Sequence, residues 1–411
     1  MPDPHITPRP TPHQLLAVVI SLFCLALIAL IGIEQPHLGA AGALVDFDAF
    51  YVVGLLIHEG RLAEAYHLPS MVAAYREFSG LESFMPWTYP PSFNLVAAAL
   101  PVLPRGAAYI LFTGGTFLAY AWVLYRLAGA TAGLVMLALI PVMLMQLACG
   151  QNGFLTGALV GWFCLSVRDG RTGAAGIPLG LMAIKPHLGL ALGIWALARG
   201  RWDTVGAAVA TGVTLFAVAT VVLGLGAWAD FRAGVAEAAG FLSAGQYPLF
   251  RMTSVYAGLH RLGLDPEVAL AVQAAIGLAG CAGLVVAVRR GLGTRHALAL
   301  ACVATLMVSP YTYDYDLTIL GVALALVAPE LARHARRAEA VALGGLLWAA
   351  GGWGLVRSMM NISLDPQAAQ LVQNTAPSIG APLILAAAAL VALILARGAR
   401  RMPAAGAPGP G

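Results

Sequence analysis

Apolar stretches of membrane-spanning length recur along this chain, and that feature removes most folds from consideration. The first, residues 13–33, gives a run of mostly apolar positions about 31 Å long as a helix, enough to cross a bilayer. Others fall at 105–125, 131–149, 151–167, 173–185, 187–198, 203–224, 266–288, 296–309, 316–330, 339–356 and 379–397. Soluble domains carry about 25% charged residues; here the figure is 10%, against 60% hydrophobic. Such a chain cannot clothe a water-facing surface. Its runs are also too long for the short alternating strands of a β-barrel. The expectation is an all-α polytopic membrane protein, a single domain of about twelve transmembrane helices over 13–397. The Pro-rich residues 1–12 and the Pro-, Gly- and Ala-rich residues 398–411 are expected to be disordered tails. The run at 13–33 is too long for a signal-peptide core and reads as a retained first span.

Charge placement orients the bundle. Arginines sit at 126, at 168 and 171, at 199 and 201, at 289, 290 and 295, at 333, 336 and 337, and at 397, 400 and 401. If the proline-broken stretch 88–104 dips into the bilayer without crossing, all these clusters fall on one side. The positive-inside rule makes that side cytoplasmic. The opposite side then gathers an outer loop at 34–87, Gly150-Gln151-Asn152, Lys185-Pro186-His187, a second outer loop at 225–265, Ser309 to Asp316, and 357–378. Within the first loop, 48–58 and 68–79 are too short to span and are expected to lie as interfacial helices. Almost every polar anomaly thus shares one face. The net charge of +4 is small and forms no basic stripe interleaved with aromatics, so nucleic acid is not an expected partner. The five cysteines lie in or beside apolar runs and read as small buried hydrophobes. No metal-ligand spacing and no phosphate-cradling glycine loop is present, and no metal or cofactor is expected. The sequence leaves the oligomeric state open.

The polar residues on that face suggest chemistry, each against a plainer alternative. Asp46 and Asp48 stand within a turn of lipid, where an ionised Asp costs about 2.5–3.5 kcal/mol. Such groups usually face water, a partner or a substrate. Either one suits a general base; the plainer reading is a helix N-cap. Lys185, the only lysine, adjoins a helix-breaking proline between apolar runs. With His187 it suits a phosphate; the alternative is snorkelling to headgroups. Arg251 lies among aromatics in the second loop and offers the bidentate geometry that phosphate favours. Tyr89, Gln151, Asn152, Tyr313, Asp314 and Asp316 supply hydrogen-bonding groups for sugar or acceptor hydroxyls. Tyr89 equally reads as part of a stiff turn, Gln151 and Asn152 as a polar turn, and the acids as partners of Lys185 or Arg251.

These residues also resemble a known family. Asp46-Phe47 followed by Tyr51, Gly54, Gly60 and Tyr66 is similar to the first outer loop of glycosyltransferase family 87. So is Tyr89-Pro90-Pro91 followed by Pro101 and Leu103-Pro104. Gly150-Gln151, Lys185-Pro186 and Ser309-Pro310 with the Tyr/Asp cluster fit the later part, the whole covering roughly 40–320. The resemblance implies a GT-C-type bundle similar to the polyprenol-phosphate-mannose-dependent mannosyltransferases. It implies a multi-pass enzyme of the cytoplasmic (inner) membrane with its site facing the periplasm or exterior. It further implies an inverting displacement without a metal and a first-loop Asp as base. The Asp before the Phe is Asp46; Asp48 departs from that pattern and stands as the alternate. Many members carry a His near the Tyr/Asp cluster, where this chain has Tyr311 or Tyr313.

The expected function is transfer of a hexose, mannose by resemblance, from a polyprenyl-phosphate sugar to a lipid or glycan acceptor. Lys185, Arg251 and His187 would hold the donor phosphate, within surrounding membrane lipid. The competing class is a transporter or lipid flippase for an envelope precursor. That class needs charges spread through the depth of the spans and matched broken helices in two halves. A third reading is a non-catalytic membrane partner of an envelope synthase.

Overall fold

A computed structural model describes residues 11–40, 46–361 and 375–401. The expected tail at 1–12 lies outside these up to residue 10, the expected tail at 398–411 from residue 402, and the 357–378 loop from 362 to 374. Among the described residues the protein is helical, with one isolated bridge, between Met252 and Tyr313, as its only β pairing.

The chain opens with α1 (Pro12–Glu34), started by a Thr11–Gln14 capping box with proline at the first helical position. Then come α2 (Asp46–His58), the short α3 (Leu62–Ala65), α4 (Leu68–Ser79) and α5 (Pro91–Ala99). Next are α6 (Arg105–Ala128), α7 (Ala132–Ala138), α8 (Ile140–Cys149), α9 (Gly153–Arg168), α10 (Thr172–Leu181), α11 (Leu190–Ala198) and α12 (Trp202–Leu223). The second half holds α13 (Gly226–Ser243), α14 (Val255–Arg261), α15 (Pro266–Arg289), α16 (Thr294–Leu306), α17 (Thr318–His334), α18 (Arg337–Asn361) and α19 (Gly380–Arg401).

Among the described residues, seven helical stretches are long and apolar enough to cross a membrane; five further apolar helices of 10–17 residues, among them Pro91–Val102, Gly153–Arg168 and Thr172–Ile184, fall short of that length. The protein is therefore a multi-pass membrane helical bundle in which only part of the expected twelve runs reach full spanning length. The difference is physical: Gly and Pro break several runs, so the helix ends before the hydropathy does. Other boundaries also move. α19 continues to Arg401, past the expected tail boundary at 398. The expected loop 225–265 is largely helical, containing α13 and α14. α2 is enclosed, with eight of its thirteen residues buried, where an interfacial helix would keep one face open.

Helix α17 forms the axis. Of the most apolar 18-residue stretch in Asp314–His334, 78% is buried, against 6% in Trp202–Leu223. Around α17 pack α6, α9, α16 and α19, while α12 lies outside against α10. The two ends of the bundle differ in content. At one end Arg168 donates to the Arg126 carbonyl and Arg199 to the Leu292 carbonyl. There Arg295 and His296 also meet Glu330, and Arg397 bonds Glu339 and the His334 carbonyl. Members of all six expected arginine clusters belong to these helix ends. The other end holds a polar cavity.

Candidate active site

The cavity has a volume of about 390 Å³ and is built from segments far apart in the chain. Asp46, Tyr89, Gln151, Lys185, His187, Arg251 and Tyr313 all line it, with Phe50, Trp87, Tyr247, Tyr311 and Tyr315 as aromatic walls.

Asp46 is the first residue of α2, where a negative charge also suits the helix dipole. Its Oδ2 is buried and has no hydrogen-bond partner among the described residues. Burial pushes its carboxyl above the ordinary range; the Arg251 guanidinium and the Cys149 thiol pull it down by less. A carboxylate oxygen facing a cavity with nothing bound to it is available to take a proton. Asp48 has a different fate. It is 3% exposed, and Arg105 Nε donates to its Oδ1 at 2.6 Å. Arg105 is itself 2% exposed and rests over the Phe47 and Tyr109 rings. Two residues along a helix is a turn of about 200°, so the two acids cannot face the same way. Asp48, the alternate, is absent from the cavity wall and is engaged by Arg105.

Lys185 stands where a helix breaks. The 3₁₀ turns Met182–Ile184 and Pro186–Leu188 meet at Lys185, whose backbone is at φ −153°, ψ 69°. Proline at 186 forbids a continuous helix, and the freed carbonyls need other donors. Ser92 Oγ donates to the Ala183 carbonyl, and Thr305 Oγ1 to those of His187 and Leu188. The break thereby projects Lys185 Nζ toward Asp316 Oδ1 at 2.6 Å, over the Tyr315 ring at 4.9 Å.

Arg251 follows the same design from another element. Its Nε and Nη2 bond the two oxygens of Asp314 at 3.2 and 3.1 Å. The guanidinium lies 5.8 Å from the Tyr313 ring centre and 5.7 Å from that of Tyr315, and these two rings stack at 5.1 Å. The strap is backbone: Thr253 N donates to the Thr312 carbonyl at 2.7 Å. Gly354 on α18 presses against this pair, since a Cβ there would overlap Asp314 Oδ2. Asp314 and Asp316 are thus not on the cavity wall. They sit behind it, each holding one cation, while Tyr315 N donates to Asp314 Oδ1 and Tyr313 N to Asp316 Oδ2. Both acids are engaged by the cations, the alternative that the sequence offered for them beside sugar binding.

Tyr89 Oη donates to Gln151 Oε1 at 2.8 Å. Gln151 is placed by Gly150, whose φ of +64° ends α8 in the left-handed conformation glycine favours; a Cβ there would also press on Phe47. Asn152 is fully buried behind the wall. His187 lines the cavity, but burial and then the nearby Lys185 charge push its pKa down to about 4. It is therefore neutral near pH 7 and offers a hydrogen bond, not a positive charge, to a ligand.

Sequence reasoning missed the greasy side of the site. Phe231, Val235 and Ala238 of α13 line the cavity from within the supposed loop. Their spacing of four and three was the available signal for a helical face. It also missed Arg105, which lies outside every arginine cluster and was the clue that an outer acid needed a partner.

An aromatic and charged cavity at one end of a multi-pass bundle marks a membrane protein built around a polar ligand. The profile of glycosyltransferase family 87 matches residues 87–310, more than half of the chain, and the chain belongs to that family. It is accordingly a membrane glycosyltransferase, using a sugar donor and an acceptor. The match includes Tyr89, Gln151, Lys185 and Arg251 and stops short of Asp46 and the 313–316 segment. Searches of curated proteins and of solved structures return no significant match.

Proposed function

We propose that the protein transfers a hexose, mannose in the first instance, from a polyprenyl-phosphate sugar to a lipid or glycan acceptor. The observation that carries this reading is the convergence on one cavity of two cations and a carboxylate with one oxygen left unpartnered among the described residues. Asp46 takes the proton of an acceptor hydroxyl. The hydroxyl oxygen forms a bond to the anomeric carbon from the face opposite the phosphate. The anomeric C–O bond breaks, and its electron pair leaves with the polyprenyl phosphate, whose charge Lys185 and Arg251 stabilise. The outcome is inversion, and no step is routed through a metal.

Charge placement supports this donor class. Lys185 and Arg251, each held by one Asp, put an ammonium and a guanidinium on the wall where the donor phosphate would lie. The apolar wall of Phe84, Met85, Phe231 and Val235 suits the isoprenoid chain next to it. The site faces the exterior of the cytoplasmic membrane in this reading, because the arginine-bearing helix ends are opposite. A transporter would need polar groups through the bundle's depth, whereas the cavity is confined to one end.

The test is transfer by purified protein in liposomes, offered polyprenyl-phosphate mannose or a nucleotide-linked mannose with a lipid or glycan acceptor pool. Product from the polyprenyl donor alone supports the reading. Transfer only from the nucleotide donor, or full activity in Asp46→Asn, overturns it.

A further inference from the structure

A second cavity, of about 490 Å³, lies at the opposite end of the bundle and belongs to no part of the reaction. Its floor is α17 (Leu324, Val327), one wall is α16 (Leu300, Val303), and the other is α19 (Ala388, Ala392) with two leucines of α18. Along α19 it extends from Ala387 to Ala399, about 18 Å of helix, the reach of an acyl chain. The alanines on α19 leave the space: larger side chains at those positions would fill it. Its mouth is polar and lies among the arginine-bearing helix ends. His296, Glu330 and His334 line it, and Glu330 is the only acid among the lining residues described. Against that one acid stand His296, bonded to Glu330 at 2.8 Å, and Arg295 at 3.9 Å from it. Arg199 reaches the same rim by donating to the carbonyl of Leu292, itself a lining residue.

We propose that this cavity is a binding site for an anionic phospholipid, one acyl chain lying between α16 and α19 and the headgroup phosphate on Arg295. No arginine lines the slot itself, but Arg199, Arg295 and Arg397 border its mouth against the acids Glu330 and Glu339, and an apolar slot of chain length below that surplus of one positive charge matches such a lipid in both shape and charge. Basic pockets between membrane helices at the cytoplasmic surface recruit anionic headgroups for the same reason. The ligand is a structural or regulatory lipid, distinct from the sugar donor, which the cavity at the other end would take.

The experiment uses the full-length, delipidated protein in detergent, titrated with phosphatidylglycerol or phosphatidylcholine of identical chains and read by native mass spectrometry. The expected result is a retained phosphatidylglycerol adduct at least fivefold more abundant than the phosphatidylcholine one. Arg295→Gln should abolish that preference, and Ala392→Trp should remove the adduct. A phosphatidylglycerol with a photoreactive acyl chain, used on the unmodified protein, should label α16 between residues 296 and 303 and α19 between residues 387 and 399, so that the test survives if a variant fails to fold. Equal retention of the two lipids, an undiminished adduct in folded Ala392→Trp, or labelling spread evenly over the bundle overturns the proposal. Sugar transfer is not the readout, so the result stands apart from the fate of the glycosyltransferase mechanism.

Discussion

The two ends of the bundle use the same residue types to opposite effect. At one end Arg168, Arg295 and Arg397 pair with acids while remaining partly open, at side-chain exposures of 25–40%. At the other, Arg105, Lys185 and Arg251 pair with Asp48, Asp316 and Asp314, and those three acids are all but inaccessible. An open pair is worth little, since water and salt solvate its members separately. A buried pair is costly to assemble and costlier to break, because a lone charge is then left without solvent. The lesson is that the charges among the arginine-bearing helix ends stay open to solvent, whereas those at the cavity end include three acids sealed against cations. Within the second end there is a further split: two cations face a cavity, and Arg105 does not.

The sharpest way to break this contrast is to neutralise the two acids of α2 in turn. Asp46→Asn is expected to reduce transfer by about 10²–10⁴-fold with the melting temperature nearly unchanged, as loss of a general base requires. Asp48→Asn should do the reverse; if it abolishes transfer in a fully stable protein, the division between site and scaffold fails. Next, Lys185→Met and Arg251→Met should each lower turnover by about 10²–10³-fold, the usual scale for a lost group that stabilises developing charge. A donor KM that rises with turnover unchanged would assign them to ground-state binding instead.

Third, Arg105→Met leaves Asp48 buried beside an apolar chain and should destabilise the fold by about 3–5 kcal/mol, read by thermal denaturation in detergent. The double variant Arg105→Met with Asp48→Leu should recover most of that loss. Fourth, the acid limb of the pH–rate profile should lie above the ordinary carboxylate range. Asp46 must be ionised to act, and burial raises its pKa, so activity falls as pH drops through that raised value. An acid limb that persists unchanged in the residual activity of Asp46→Asn would assign it elsewhere. Smallest of all, Arg397→Gln at the open end should leave transfer within experimental error, while Lys185→Met does not.

Much of the architecture was readable from the sequence because it is locally written. Helices α12, α15 and α16 fall within a few residues of the apolar runs that announced them, since length and hydropathy act on consecutive residues. The gathering of Asp46, Tyr89, Gln151, Lys185 and Arg251 on one face followed from counting crossings. Pairing across the chain was open as one alternative for Asp314 and Asp316 and was not foreseen for Asp48. Arg105 lies 57 positions from Asp48, and Lys185 lies 131 positions from Asp316. No local pattern distinguishes an acid that lines a cavity from one that stands behind it. The enclosure of α2 was also invisible, because its apolar composition suits a headgroup surface and a protein interior equally well.

The tripeptide Asp314-Tyr315-Asp316 has a mechanical implication. Both cations are tethered to it, one arriving from a broken helix and the other from a turn on a different element. The gap between their charges is therefore fixed by a short stretch of backbone, like the jaws of a calliper mounted on one bar. A one-residue insertion within the tripeptide would change it more than any shift of the bundle.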